Sequence, residues 1–170
     1  MSQPSNWTYT KGLHDIGNGT FAYLQPDGGW GWSNAGLIVD GEASLLVDTL
    51  FDMQLTEEML RAMQDAAGVT GESIDTVVNT HANGDHTHGN GCCPKAEIIA
   101  SEASAREMEE VNAAMLAQML EAAPNMGELG AFITEIFGPF DFAGVQERLP
   151  TRTFNGDLTC LLYTSDAADE

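Results

Sequence analysis

Histidine is concentrated in one short segment that directly follows an apolar run. Three of the four histidines and one aspartate fall within residues 81–88, and the run 74–79 before them predicts a buried strand. Ligating side chains at the carboxyl end of a strand lie where open α/β folds build their sites. Imidazole together with carboxylate suits zinc or a related divalent metal, so the segment predicts a metal site.

Within this segment, we expect Gly84 to allow the tight backbone that turns His81, Asp85 and His86 toward a common centre. The alternative is a polar turn whose histidines and aspartate only cap the helix that follows. A serine hydrolase is less favoured because the sequence has no G-x-S-x-G, and the absence of G-x-x-x-x-G-K excludes a phosphate loop.

Strand and helix patterns alternate around the segment, which predicts an α/β domain. The elements are two hairpins over 14–24 and 34–48, an amphipathic helix over 55–67, a strand over 96–100, a long helix over 101–122 and a shorter one over 126–137. We expect the stripe of Met108, Val111, Met115 and Met119 on the long helix to pack in the core.

The chain is strongly acidic, with 26 Asp and Glu against 6 Lys and Arg and a net charge of -20. Such a field repels phosphate backbones and anionic lipids, so we expect neither nucleic acid nor a membrane as a partner. The stretch from Met1 to Lys11 lacks the features of a signal peptide, and no apolar run is long enough to span a bilayer. Three cysteines, two of them adjacent, favour a reducing compartment, so we expect a cytoplasmic protein.

The residues His81-Ala82-Asn83-Gly84-Asp85-His86 resemble the H-x-H-x-D-H signature of the metallo-β-lactamase-fold hydrolases, with Asn83 in place of the second histidine. The run 45–49 resembles the strand and aspartate that precede the metal loop in that family, and Thr80 and Gly89-Asn90 match its flanks. The resemblance covers 13–159. It implies an αβ/βα sandwich of the metallo-β-lactamase type, within the α/β class.

By this resemblance, His81 would bind a first metal ion, and Asp85 and His86 a second, with zinc as the expected metal. Asn83 would weaken the first site because a carboxamide is a poorer zinc ligand than imidazole. One or two ions would activate water against an ester, lactone, thioester or amide-like bond of a small-molecule substrate, and Asp85 would orient or deprotonate that water.

Neighbouring residues receive weaker assignments. We expect His88 to point away from the metals, and Asp48 to fix the loop from behind the ligands. Trp30 and Trp32, in a glycine-rich loop, would form either an apolar wall for substrate or a cover over the core edge. The adjacent Cys92 and Cys93 are expected to be buried thiols; that pair is not expected to bind metal.

Residues 160–170 resemble a translated sequencing adapter, so we expect 1–159 to be the N-terminal portion of the domain and 160–170 a non-native tail. The family's remaining ligands would then lie downstream. The sheet faces would then be uncovered at the apolar residues Leu45, Val47, Val77, Ile98 and Ile99. Uncovered apolar sheet surface promotes association, so the sequence is compatible with a homo-oligomer. The alternatives to a hydrolase are a non-catalytic binding protein with the same fold and an inactive truncated product.

Overall fold

The computed structural model describes residues 10–26 and 29–159, and the expected tail at 160–170 lies outside these ranges. Within them, seven strands form one mixed sheet in sequence order. The strands are β1 Gly12–Gly17, β2 Thr20–Leu24, β3 Ala35–Asp40, β4 Ala43–Val47, β5 Thr76–Val78, β6 Glu97–Ser101 and β7 Arg152–Phe154. Strands β1 to β4 pair antiparallel and β4 to β7 pair parallel, so both predicted hairpins are confirmed.

The helices are α1 Met53–Ala67, α2 Glu102–Glu110, α3 Ala113–Ala122 and α4 Gly127–Phe137, with 3-10 turns at Gly84–His86, His88–Cys92 and Ala123–Asn125. Asp52 caps α1 by accepting from Leu55 N, and Gly68 ends that helix in the left-handed region at φ 72°. The predicted helices at 55–67 and 126–137 are confirmed. Within the described ranges, no helix is long and apolar enough to cross a membrane.

The prediction of one helix over 101–122 is wrong, because the chain breaks at Val111 and Asn112. Val111 leaves the helical region at φ -122° and ψ 89°, and the Asn112 side chain then accepts from Met115 N to begin α3. Met108 is buried, but Val111 and Met115 are 57% and 50% exposed. The expected core stripe is therefore wrong for these two residues, since the break turns α3 relative to α2.

The main core lies between the sheet and α1. One row across the paired strands, Leu37, Leu46, Val77 and Ile98, is fully buried. Its residues pack with Met59 and Met63 of α1. A second cluster joins the segment after β4 to α3 through Phe51, Leu116, Phe140 and Phe142.

The sheet faces expected to be bare are covered. Leu45 and Ile99 are buried, as are Val77 and Ile98, and Val47 is half-buried. The expectation that these residues stay exposed is therefore wrong. Uncovered sheet surface at these positions is no longer an argument for self-association of the chain.

Parallel pairing of β4, β5 and β6 brings the carboxyl ends of these strands to one edge of the sheet. Asp48 N donates to Val78 O at 2.9 Å, and Asn79 N donates to Ile99 O at 2.9 Å. The segment that carries the histidines therefore begins beside Asp48, where open α/β sheets place their sites.

Candidate metal centre

Asp48, the first residue after β4, anchors the histidine segment. Its side chain is buried, and its carboxylate accepts from Thr80 N at 2.8 Å, Thr80 Oγ1 at 2.8 Å and His86 Nδ1 at 3.0 Å. Its φ of 62° lies in the left-handed region, which aspartate tolerates better than most residues. These contacts agree with the expectation that Asp48 fixes the loop from behind the ligands.

Hydrogen bonds around Thr80 determine which nitrogen each histidine ring presents. The Thr80 hydroxyl donates its one hydrogen to Asp48, so it accepts from His81 Nδ1 at 2.9 Å. His86 Nδ1 must also donate, because the Asp48 carboxylate has no hydrogen to give. Both rings are therefore held through Nδ1, which leaves a lone pair on each Nε2 when the rings are neutral. The ring centroids lie 4.2 Å apart.

Asp85 and His86 bring two acceptors together at the centre of the site. His86 Nε2 lies 3.4 Å from Asp85 Oδ2, and neither atom carries a hydrogen when the ring is neutral and Asp85 is ionised. Such a pair is stable only with a proton or a metal cation between the two atoms. The Ser33 hydroxyl donates to the backbone oxygen of Asp85 and holds this residue in place.

The pKa values show that a proton takes this position when no metal is bound. Burial alone would lower the pKa of His86, but hydrogen bonds to Asp48 and Asp85 and their negative charges raise it to about 9. Burial would raise the pKa of Asp85, but the bond to His86 and the positive charge on that ring lower it overall. At neutral pH the pair is therefore an imidazolium and a carboxylate.

The donor chemistry of this pair fits a divalent metal ion. An imidazole nitrogen and a carboxylate oxygen converge, and a further carboxylate holds the opposite nitrogen of the ring, as in many zinc sites. Among the described residues, no three His, Cys, Asp or Glu side chains are placed to hold one ion together. Ligation by His81, Asp85 and His86 therefore stays a prediction.

A buried amide network, which the sequence analysis missed, positions the backbone of His86. Asn79 and Asn90 bond each other reciprocally, with Asn90 Nδ2 donating at 2.9 Å and Asn79 Nδ2 at 3.2 Å. The His86 carbonyl accepts from Asn79 Nδ2 at 3.0 Å and from Thr49 N at 3.0 Å. The signal available in the sequence was a pair of asparagines at the two ends of the 79–90 segment.

His88 lies beneath the loop and explains the glycine at position 84. The His88 ring is 5% exposed and stacks on Phe51 with centroids 5.5 Å apart, and burial lowers its pKa. A Cβ atom on Gly84 would collide with this ring. Gly84 begins the 3-10 turn Gly84–His86 without a left-handed conformation, so its backbone is tight, as expected, but does not require a glycine by its φ. Close packing on His88 is the actual reason.

Asn83 and the adjacent cysteines occupy different surroundings. The Asn83 side chain is exposed, and its backbone oxygen accepts from His86 N at 2.9 Å at the start of the 3-10 turn. Cys93 is buried and Cys92 half-buried; both are free thiols, and burial raises the pKa of each to about 12. The prediction of buried thiols is confirmed for Cys93 and holds in part for Cys92.

A cleft of about 480 Å³ opens beside the loop, with Asp85 and His88 in its lining. Trp30 lines this cleft and is 54% exposed. Trp32 instead packs against Phe140, with ring centroids 5.2 Å apart, at the edge of the second core cluster. The structure therefore places Trp30 in the cleft lining and Trp32 at the core edge, and contact of Trp30 with a substrate stays a prediction.

Comparison with known proteins agrees with this architecture. The model of the metallo-beta-lactamase superfamily matches residues 28–166. A solved metallo beta lactamase from Hirschia baltica is similar at 24% identity with a TM-score of 0.47, over 58% of this chain and 46% of that chain. This chain thus spans less than half of that protein's length, and a search of curated proteins gives no match. On the strength of the family match, the chain belongs to the metallo-beta-lactamase superfamily and has its α/β fold.

Proposed function

We propose that this chain is a metal-dependent hydrolase, in which His81 would bind one zinc ion and Asp85 and His86 a second. The observation that carries the proposal is the 3.4 Å approach of His86 Nε2 to Asp85 Oδ2, two atoms that need a cation or a proton between them. Membership of a generally hydrolytic superfamily supports it. Because the chain spans 46% of the matched solved structure, the activity of the whole protein is part of the proposal.

The chain's own residues prepare the site for this chemistry. A bound zinc ion would supply an acidified water and a Lewis acid for the carbonyl under attack. Asp48 bonds Nδ1 of His86 and so leaves Nε2 of that ring available to a metal ion. Thr80 bonds Nδ1 of His81 and leaves its Nε2 available in the same way. Asp85, whose ordinary pKa lies well below 7, would carry an ionised carboxylate that can orient the attacking water or accept a proton from it.

The proposed substrate is a small molecule with an ester, lactone, thioester or amide-like bond. A cleft of about 480 Å³ matches the size of small-molecule sites. Phe51 and Phe137 line it together with Trp30, and these rings would exclude water from the reacting bond.

A non-catalytic binding protein is the second candidate. It is favoured by the exposed Asn83 at the position of the family's second histidine, and by the lack of three gathered donors among the described residues. Such a protein would bind a small molecule in the cleft without hydrolysing it.

Hydrolysis assays on the full chain test the proposal. The substrates are an ester, a lactone, a thioester and an amide, each assayed with zinc and with a chelator. We expect zinc-dependent hydrolysis of at least one substrate, reduced about 100-fold or more by Asp85→Asn. The matched control is His14→Asn, because His14 lies on β1, away from the site, and its one hydrogen bond within the described ranges is to the Thr10 backbone. A hydrolysis rate that does not depend on zinc, or that falls equally in both variants, contradicts the proposal. Zinc binding without any hydrolysis favours the second candidate.

A further inference from the structure

Three aromatic rings form one wall of the cleft beside residues 79–90, the segment that we call the metal loop. Trp30 lies edge to face with Phe137 at 4.9 Å between centroids and with Phe51 at 5.5 Å. Phe51 is buried, whereas Trp30 is 54% exposed, so much of the indole surface is available to a ligand. The face of an indole ring attracts cations through its negative quadrupole.

Two carboxylates from a separate element line the same cleft. Glu107 and Glu110 lie in the last turns of α2, are exposed, and take part in no ion pair among the described residues. The described lining contains no lysine or arginine. At the end of the cleft formed by α2, a substrate therefore meets the negative charge of Glu107 and Glu110, which no lysine or arginine of the described lining offsets.

A buried, unpartnered nitrogen lies in the lining as well. His88 is 5% exposed, and its Nδ1 has no hydrogen-bond partner among the described residues. A buried polar atom without a partner costs free energy, and a ligand that bonds Nδ1 would remove that cost.

We propose that the cleft selects substrates that carry an organic ammonium group on an aromatic or apolar body. This inference rests on the proposed function only for the hydrolysis of the substrate. Binding of the ammonium group in the cleft does not depend on it. The apolar body would pack on Trp30 and Phe137, and the ammonium group would lie near Glu107 and Glu110. The net charge of -20 would raise the local concentration of such cations and disfavour carboxylate, phosphate and sulfate substrates.

Three matched probes test this selection: 2-phenylethylammonium, 2-phenylethanol and 3-phenylpropanoate, which share a phenylethyl body and differ in charge. Calorimetric titration of the full chain, with zinc and with a chelator, gives each affinity. We expect the ammonium probe to bind about tenfold or more tightly than the carboxylate probe, with a difference that shrinks as salt is added. Equal affinities, or tighter binding of the carboxylate, overturn the proposal.

Substitutions separate the cleft from the general acidity of the chain. Glu107→Gln with Glu110→Gln should weaken the ammonium probe about fivefold, and Trp30→Ala should weaken it similarly. The control, Glu109→Gln with Glu121→Gln, removes the same charge from exposed positions of α2 and α3 outside the cleft lining. Equal weakening in both double variants would assign the effect to net charge and overturn the proposed site.

The same titrations distinguish this inference from the proposed hydrolase. Ammonium selectivity that persists with a chelator, in a chain that neither binds zinc nor hydrolyses esters, would support the cleft and contradict the hydrolase. Zinc-dependent hydrolysis of neutral esters without selectivity among the probes would support the hydrolase and overturn the cleft assignment.

Discussion

The metal loop, residues 79–90, and the helical layer, α2 to α4, line the same cleft but are held by different interactions. In the metal loop, the buried amides of Asn79 and Asn90 bond each other and the backbone, and the buried Asp48 carboxylate accepts from Thr80 N and His86 Nδ1. In the helical layer, Phe137 packs around Phe51, while Leu129 and Phe132 are each 56% exposed.

This difference separates two requirements of a site. Hydrogen bonds are directional, so the network around His86 fixes the positions of the atoms that would hold a metal ion. Apolar packing is not directional, so the helical wall can adjust to the shape of a substrate. The following predictions test whether the two regions differ in this way.

Phe51→Ala should have the largest effect on stability because Phe51 joins the two regions. The ring stacks on His88 under the metal loop and packs against Phe140 at 4.7 Å and Phe142 at 4.8 Å. We expect the free energy of unfolding to fall by about 4 kcal/mol in denaturant titrations. Phe132→Ala, at an exposed ring, is the control and should change it by less than about 0.5 kcal/mol. Similar losses in the two variants would show that the regions are not joined through Phe51.

The second prediction concerns pH in the metal-free protein. The pKa of His86 is raised from 6.5 to about 9, so its stabilisation is complete below pH 6.5 and is lost as the pH rises through about 9. We expect this loss to approach 3 kcal/mol. The Cys92 and Cys93 thiols also titrate at high pH, so the measurement is the difference in unfolding free energy between the wild-type chain and His86→Asn from pH 6 to 9.5. A difference that stays constant over this range would contradict the bonded pair.

Asn90→Ala should lower the free energy of unfolding by about 2 kcal/mol, because it removes the Asn90 Nδ2 donor from Asn79 Oδ1 and from the Arg148 carbonyl. Asn83→Ala is the matched control in the same loop, since that side chain is exposed. Thermal and denaturant unfolding of both variants give the comparison. If Asn83→Ala cost as much as Asn90→Ala, the buried amides would not be what holds the loop.

The smallest expected effect is that of Met115→Ala in the helical layer. The Met115 side chain is 50% exposed, so the change should lower the free energy of unfolding by less than about 0.5 kcal/mol. Met108→Ala, at a buried position of α2, should cost about 2 kcal/mol or more. Equal losses of unfolding free energy in the two variants would show that Met108 and Met115 are packed alike, as the predicted single apolar stripe requires.

Sequence patterns predicted the sheet and the site where local chemistry decides the structure. The two hairpins, the strands at 74–79 and 96–100 and the position of the histidine segment at a strand end all follow from short-range signals. Strand β7 was not predicted, because its three residues pair only with β6, about fifty positions earlier.

Prediction failed where tertiary contacts outweigh local patterns. Val111 ends α2 and Asn112 caps α3 inside a run of good helix formers, where Ala113 N also donates to the distant Glu147 carboxylate, so periodicity alone joined the two helices. The Asn79 and Asn90 pair, and the contact between Gly84 and His88, exist only after the loop has folded back on itself. The chemistry of the candidate ligands and the supporting place of Asp48 were readable from the sequence, but the Asn79 and Asn90 amides that hold the His86 backbone were not.

Proton release on zinc binding tests the central claim most directly. If zinc replaces the proton between His86 and Asp85, binding at pH 7 should release about one proton per ion, because the pKa of His86 is about 9 in the metal-free protein. Calorimetric titration in buffers of different ionisation enthalpy measures this number. We predict about one proton for the wild-type chain and for His14→Asn, and none for His86→Asn, which should also bind zinc more weakly. Zinc binding without proton release, or with equal affinity in His86→Asn, would contradict the claim that this pair holds the metal.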